Sequence, residues 1–244
     1  CLSVCLCSDM KPVVIDSGIA PGTMEVLSLP GALSISSAYS LIKMVRYCLM
    51  LWLPTFFSSQ IGMEPSQAGI MSSLFDAGGV AGGVAAGFIT DKIASGRLIQ
   101  VAASMLLGAS ISLALWAGLV MKGVENLSNP VQMHGAAMLL AGFLIAGPDG
   151  ILGGASSKNL CDYNYKSASD GFAKYPPALS GIVNGVASLS VILMSAQTSN
   201  IVNKLGWNGL FILLSSMSCL AATISIPALL LESKYFKQKA NEAN

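Results

Sequence analysis

The sequence predicts an all-α integral membrane protein with six transmembrane helices, and three observations carry that reading. Hydrophobic residues make up 53% of the 244 and charged residues only 10%, where soluble domains carry about 25% charge. Mean hydropathy is +0.67. Apolar runs recur along the chain, each long enough to cross a bilayer core as a helix. The net charge of +1 gives no bias toward nucleic acid or an acidic partner, so charges inform only by position.

Residues 1–31 mix Asp9, Lys11, Asp16 and Glu25 with Gly and Pro, and read as a cytoplasmic linker or the end of a preceding segment. The chain starts at Cys1 without the order of a cleavable signal peptide, as a fragment would. Six spans are expected at about 32–58, 67–90, 98–121, 133–156, 178–200 and 207–231, each bounded by charge or turn residues. They form one unit over 32–235, followed by a tail at 236–244. The connections are short except for 157–177, where Lys158, Asp162, Lys166, Asp170 and Lys174 precede Pro176-Pro177. The six cysteines lack metal-ligand spacing. They read as buried or unpaired thiols, with lipid modification of Cys1, Cys5 and Cys7 as the alternative.

Orientation follows from the basic residues. Lys11, Lys92, Arg97, Lys158, Lys166, Lys174, Lys234, Lys237 and Lys239 fall on one side, and only Lys122 and Lys204 on the other. Both termini are therefore expected in the cytoplasm. The opposite side carries a glycosylation sequon, Asn126-Leu127-Ser128, in a short loop close to the bilayer.

Two cations remain inside the first span. At ~1.5 Å per residue Arg46 lies roughly 17–20 Å from either end of its apolar run, close to the midplane. An arginine there costs ~2.5–3.5 kcal/mol on insertion scales. A bound anion would offset that cost. Tyr39, Lys43, Arg46 and Met50 recur at helical spacing and share one face, which suits a phosphate-sized anion.

In the second span Gly79, Gly83 and Gly87 recur every fourth residue and are expected to form a groove for close helix packing. No G-x-G-x-x-G or Walker pattern accompanies them. Asp76 precedes this run as an intramembrane carboxylate. Lys43 is its expected partner and Arg46 the second choice, as part of a site or as a structural pair. Asp149, in Gly147-Pro148-Asp149-Gly150, reads as capping a helix break. His134, the single histidine, sits at the mouth of the fourth span as an interfacial side chain or a gate. Asn184 and Gln197 suit either a cavity wall or interhelical hydrogen bonds.

Several stretches resemble one family. Leu41-Ile-Lys-Met-Val-Arg-Tyr47, followed by Trp52-Leu-Pro54, is similar to the seventh helix of the organophosphate:phosphate antiporters of the major facilitator superfamily. There an arginine binds phosphate, and the sugar-phosphate-exchanger branch has a lysine at the place of Lys43. Phe75-Asp-Ala-Gly-Gly-Val-Ala-Gly-Gly83 resembles that branch's eighth helix. Gly87-Phe-Ile-Thr-Asp91-Lys92, with Gly96-Arg97, resembles the superfamily's cytoplasmic hairpin, whose acidic and basic residues bridge helix ends and set gating. Gly147-Pro148 and Gly206-Trp207-Asn208 also match. Asn184 departs from the Asp of animal exchangers.

The resemblance implies a half-bundle built as a 3+3 inverted repeat, matching the C-terminal half of a twelve-helix carrier, with an N-terminal half as its missing partner. It implies alternating-access exchange of a glucose-6-phosphate-type or glycerol-3-phosphate-type ester for inorganic phosphate. Arg46, Lys43, Tyr39, Tyr47, Asp76 and Asn184 would bind substrate. No cofactor, metal or enzymatic activity is expected. The endoplasmic reticulum is the expected membrane, with the plasma membrane as the alternative. Two other readings stand beside this one: a carrier of another organic anion or sugar, and a truncated, non-transporting interaction subunit.

Overall fold

A computed structural model describes residues 22–164 and 175–242. The expectations placed on Lys11, Lys166, Asp170, Lys174 and the front cysteines lie outside these residues. The elements are α1 (Thr23–Leu27), α2 (Ala32–Gln60), α3 (Pro65–Phe88), α4 (Leu98–Lys122), α5 (Pro130–Gly150), α6 (Ser156–Asn164), α7 (Tyr175–Ile224) and α8 (Ile226–Glu242). Single π-helical turns, Ile89–Ile93 and Ile151–Ala155, extend α3 and α5. No strand occurs among the described residues.

The boundaries have local causes. Pro65 and Pro130 open α3 and α5, where a missing N–H costs nothing. Gly123 closes α4 at φ +76°, a conformation that glycine adopts without a Cβ clash. Pro54 falls inside α2 without ending it.

Five continuous helical stretches are long and apolar enough to cross a membrane, the last running 68 residues from Tyr175 to Glu242. At ~1.5 Å per residue that is about 100 Å, several times a hydrocarbon core. It cannot be one crossing. Gly206, at φ +71° and ψ 177°, breaks it. Two limbs result, over 175–205 and 207–224, so the spans number six. The first limb meets α2, where Cys48 Sγ lies 3.6 Å from Thr198 Oγ1. The second meets α4, where Ser215 donates to the Ser110 carbonyl at 2.7 Å.

The outer surface is apolar. Ile70, Val84, Ile111, Leu115, Leu189 and Leu193 are all exposed, a pattern that water would not tolerate and lipid does. The protein is a multi-pass membrane protein.

Tight contact between α3 and α5 revises the glycine pattern. A Cβ at Gly78 would run into the Leu139 carbonyl, at Gly82 into the Phe143 carbonyl, and at Gly142 into the Phe75 carbonyl. The backbones therefore touch. Gly79 sits more loosely, its would-be Cβ 3.3 Å from the Ala146 methyl. Gly83 and Gly87 have open space instead of a partner helix. The packing stripe runs through Gly78, Gly82 and Gly142, because helix rotation is set by what α5 presents and not by i+4 spacing alone.

The two ends of the bundle are clamped differently. At the end carrying Lys122 and Lys204, fully buried Phe56 meets Trp116, His134, Trp207 and Phe211 edge to face, with centroids 5.3–6.1 Å apart. His134 is buried and not interfacial. It is 1% exposed, and its Nδ1 accepts from Trp116 Nε1 at 3.0 Å.

At the end carrying Arg97, buried Glu232 of α8 accepts from the backbone N–H groups of Ile99 (3.0 Å) and Gln100 (2.9 Å) at the start of α4. It also accepts from Tyr163 Oη at 3.1 Å. One carboxylate thus satisfies two orphan donors of a helix start and ties α4, α6 and α8 together.

Two stability predictions follow from these contacts. Gly82→Ala should lower the thermal midpoint of the purified protein by an amount worth about 1–3 kcal/mol, while Gly83→Ala stays within about 0.5 kcal/mol of wild type. Equal effects would place the packing stripe wrongly. Glu232→Ala strands two backbone donors and should cost about 1–3 kcal/mol; an unchanged midpoint would mean that the clamp is unimportant.

Candidate functional site

Arg46 is the fifteenth of the 29 residues of α2, the centre of the helix. The turns around it carry Tyr39 and Lys43 toward α5 and the first limb of α7. Tyr39 Oη donates to Asn184 Oδ1 at 3.0 Å, and Asn184 Nδ2 donates to the Gly153 carbonyl at 2.7 Å. Ser180 Oγ donates to the same carbonyl at 3.3 Å. Lys43 Nζ donates to Ser188 Oγ at 3.2 Å and lies 5.3 Å from the centre of the Tyr39 ring. Three spans are joined by this polar network.

The π-helical turn Ile151–Ala155 makes the network possible. A π turn inserts an extra residue and rotates the carbonyls that follow, and the Gly153 carbonyl is the one that receives both α7 donors. Gly153 also needs its missing side chain, since a Cβ there would come within 2.6 Å of the Tyr39 hydroxyl oxygen.

Arg46 forms an ion pair with Asp149, its Nη1 donating to Asp149 Oδ2. Among the described residues this is the one salt bridge. The Asp149 side chain is 12% exposed and that of Arg46 32%. Asp149 Oδ1 is buried and has no hydrogen-bond partner.

Several expectations change accordingly. Asp76 pairs with neither Lys43 nor Arg46; it is exposed on α3 without an ion pair among the described residues. Asp149 caps no helix break. Sequence spacing missed this pair because α2 and α5 are 103 residues apart at that contact. The available signal was charge: a carboxylate and a guanidinium, each too costly to stay alone at depth.

Tyr39, Lys43, Arg46 and Asn184 come together as one cluster. Tyr47, next to Arg46 in the chain, is half-buried and makes no side-chain hydrogen bond among the described residues. Gln197 is exposed and accepts from Asn200 Nδ2 at 3.3 Å. Ser188 and Glu232 are polar contacts that the sequence did not single out.

The hairpin residues lie at the far end. Asp91 and Lys92 are exposed in the π turn after α3 and form no ion pair among the described residues. Gly96 takes φ +85° in the turn. Arg97 lies over the Phe236 ring at 5.4 Å. The bridge between helix ends runs through Glu232 and not through Asp91. Asn126 is exposed just beyond α4, and its Nδ2 donates to the Lys122 carbonyl at 2.7 Å. A glycan would need that same nitrogen.

The described residues contain no cluster of three or more potential metal ligands. The arrangement offers hydrogen-bond donors and positive charge, the chemistry that suits an anion. Arg46 has further N–H donors beyond the one on Asp149, and Lys43 forms no ion pair among the described residues.

No family model matches the chain. It is 28% identical over 215 residues to sugar phosphate exchanger 3 of Xenopus laevis, aligning 88% of this chain with 40% of that protein. It is 29% identical to the putative glycerol-3-phosphate transporter 5 of Arabidopsis thaliana, over 82% of this chain and 38% of that one. The chain thus spans about 40% of the length of the curated relatives it matches. A solved bacterial homologue of the iron transporter ferroportin, in an outward-facing state, superposes with a TM-score of 0.55 at 15% identity, covering 88% of this chain and 47% of that one. The chain has the all-α fold of a major facilitator half-bundle and is similar along most of its length to the sugar phosphate exchangers of that superfamily.

Proposed function

We propose that this chain forms the C-terminal half of a secondary transporter that exchanges a phosphorylated sugar or polyol for inorganic phosphate by alternating access. The observation that carries the reading is Arg46 at the centre of α2, with Lys43 one turn away and both tied by polar contacts to α5 and α7. Substrate sites of such carriers lie near the midplane, between two repeats. The phosphate group would take the free donors of Arg46 as a fork and Lys43 as a point charge. Tyr39 and Asn184 would set the wall from which these cations project, and Tyr47 would extend it.

Asp76 fits the same lining. A carboxylate exposed halfway along a span is costly against lipid, so its open side is best covered by a second half or a cavity. An N-terminal six-helix half would supply that cover, as the length of the relatives suggests. Residues 32–235 would form one six-helix unit, with 1–31 as linker or end of a preceding segment and 236–244 as tail, since every connection except 157–177 is short.

Energy would come from the two phosphate gradients. Lys43 has no carboxylate partner among the described residues, so closing a dry cavity around it is unfavourable until an anion arrives. The preponderance of basic residues at the Arg97 end supports a cytoplasmic location for both termini. The sequon Asn126-Leu127-Ser128 fits a secretory-pathway membrane, and the endoplasmic reticulum is proposed over the plasma membrane. Asp91, Lys92, Gly96 and Arg97 would act at the cytoplasmic gate.

The test is exchange by the full-length protein that carries this chain, reconstituted in phosphate-loaded liposomes. Arg46→Ala should reduce labelled phosphate exchange on the order of 100-fold, and Lys43→Ala on the order of 10-fold. Exchange that survives Arg46→Ala would reject the assignment. Inhibition by non-phosphorylated carboxylates equal to that by phosphate esters would favour a carrier of other organic anions.

A further inference from the structure

We propose that Asp149 is a tethered counterion, held on Arg46 when the site is empty, so that phosphate binds by displacing it. The proposal rests on the exchanger reading above and specifies what that site does before substrate arrives.

Buried Glu232 and partly buried Asp149 are held in contrasting ways. Glu232 is fully engaged: its two oxygens accept from two backbone N–H groups and a tyrosine hydroxyl. That is how a permanent structural carboxylate is satisfied. Asp149 has one partner, Arg46, through Oδ2, while Oδ1 is buried with none. Asp149 is thus held through Arg46 alone, and its free Oδ1 leaves it able to accept another donor when Arg46 turns to an anion.

The geometry leaves room for exchange of partners. Asp149 is the more buried member of the pair and Arg46 the more open one, so an incoming anion meets the guanidinium first. Asp149 also sits where α5 is least regular. Pro148 lacks an N–H before it, Gly150 follows, and the π turn Ile151–Ala155 comes next. A backbone of this kind can shift a side chain by small changes in register.

Charge arithmetic gives the consequence. Arg46 and Lys43 together carry two positive charges, and Asp149 removes one of them in the empty site. Phosphate must then compete with a carboxylate that is already in place, which weakens its binding. Without substrate the carrier then closes around one cation lacking an anion among the described residues instead of two, so unloaded reorientation is disfavoured less than Lys43 and Arg46 together would disfavour it. Asp149 acts through Arg46 as a positioning residue that sets the balance between strict exchange and net movement.

The experiment compares wild type with Asp149→Asn in the full-length protein, reconstituted with inorganic phosphate as the probe. Two quantities are read: the half-saturating phosphate concentration for exchange, and the ratio of net phosphate efflux into phosphate-free medium to exchange. Asp149→Asn should lower the half-saturating concentration on the order of tenfold without raising the maximal rate, and should lower the efflux ratio. A purely structural role would depress the maximal rate and move neither quantity in that direction.

Asp149→Ser provides the same readings if the asparagine variant does not reach the membrane, and phosphate-dependent thermal stabilisation of purified protein gives the affinity without transport. Unchanged or weaker phosphate affinity in a neutral variant, with wild-type exchange intact, overturns this inference alone. Absence of phosphate exchange in the wild type overturns the exchanger reading and this inference with it.

Discussion

A guanidinium at the centre of a transmembrane helix is the constraint around which this bundle is arranged. Arg46 cannot snorkel to either surface from the middle of a 29-residue helix. Its charge has to be met within the protein. Asp149 meets it from α5, and the same arrangement leaves other donors of Arg46 unused. The requirement for a counter-charge therefore specifies how α2 and α5 face each other.

Holding Asp149 at that place depends on backbone contacts some distance away. Gly78, Gly82 and Gly142 let α3 and α5 approach until carbonyl oxygens fill the space of absent side chains. α5 is thereby fixed against α3 along the part of its length that precedes the π turn. Beyond Gly147 and Pro148 the helix becomes irregular, and there the polar contacts to α2 and α7 begin. Rigid packing thus runs directly into the segment carrying Asp149 and the Gly153 carbonyl.

The ends of the bundle and its centre are built on different physics. Phe56 and its ring of aromatic neighbours close one end by dispersion and edge-to-face packing. Glu232 closes the other by saturating a helix start. Between them, the contacts around Arg46, Lys43 and Asn184 are an ion pair and part-exposed hydrogen bonds from side chains to other side chains and to the Gly153 carbonyl. Such contacts can exchange partners at small cost, while the packed ends cannot.

The sequence alone determined the fold class, the approximate limits of six spans and the presence of two misplaced cations. Hydropathy and helical spacing are local properties, and Tyr39, Lys43 and Arg46 share a face whatever surrounds them. It also determined that Asn184 and Gly206 matter, through a likeness to known carriers. The tertiary structure decided the partners. Asp149 rather than Asp76 answers Arg46, Gly78 and Gly82 rather than Gly83 and Gly87 receive a neighbouring helix, and His134 is a core acceptor for Trp116. Each of these depends on the rotation of one helix about its axis relative to another. Rotation is set by the summed fit of whole faces, which no residue spacing within a single helix can encode.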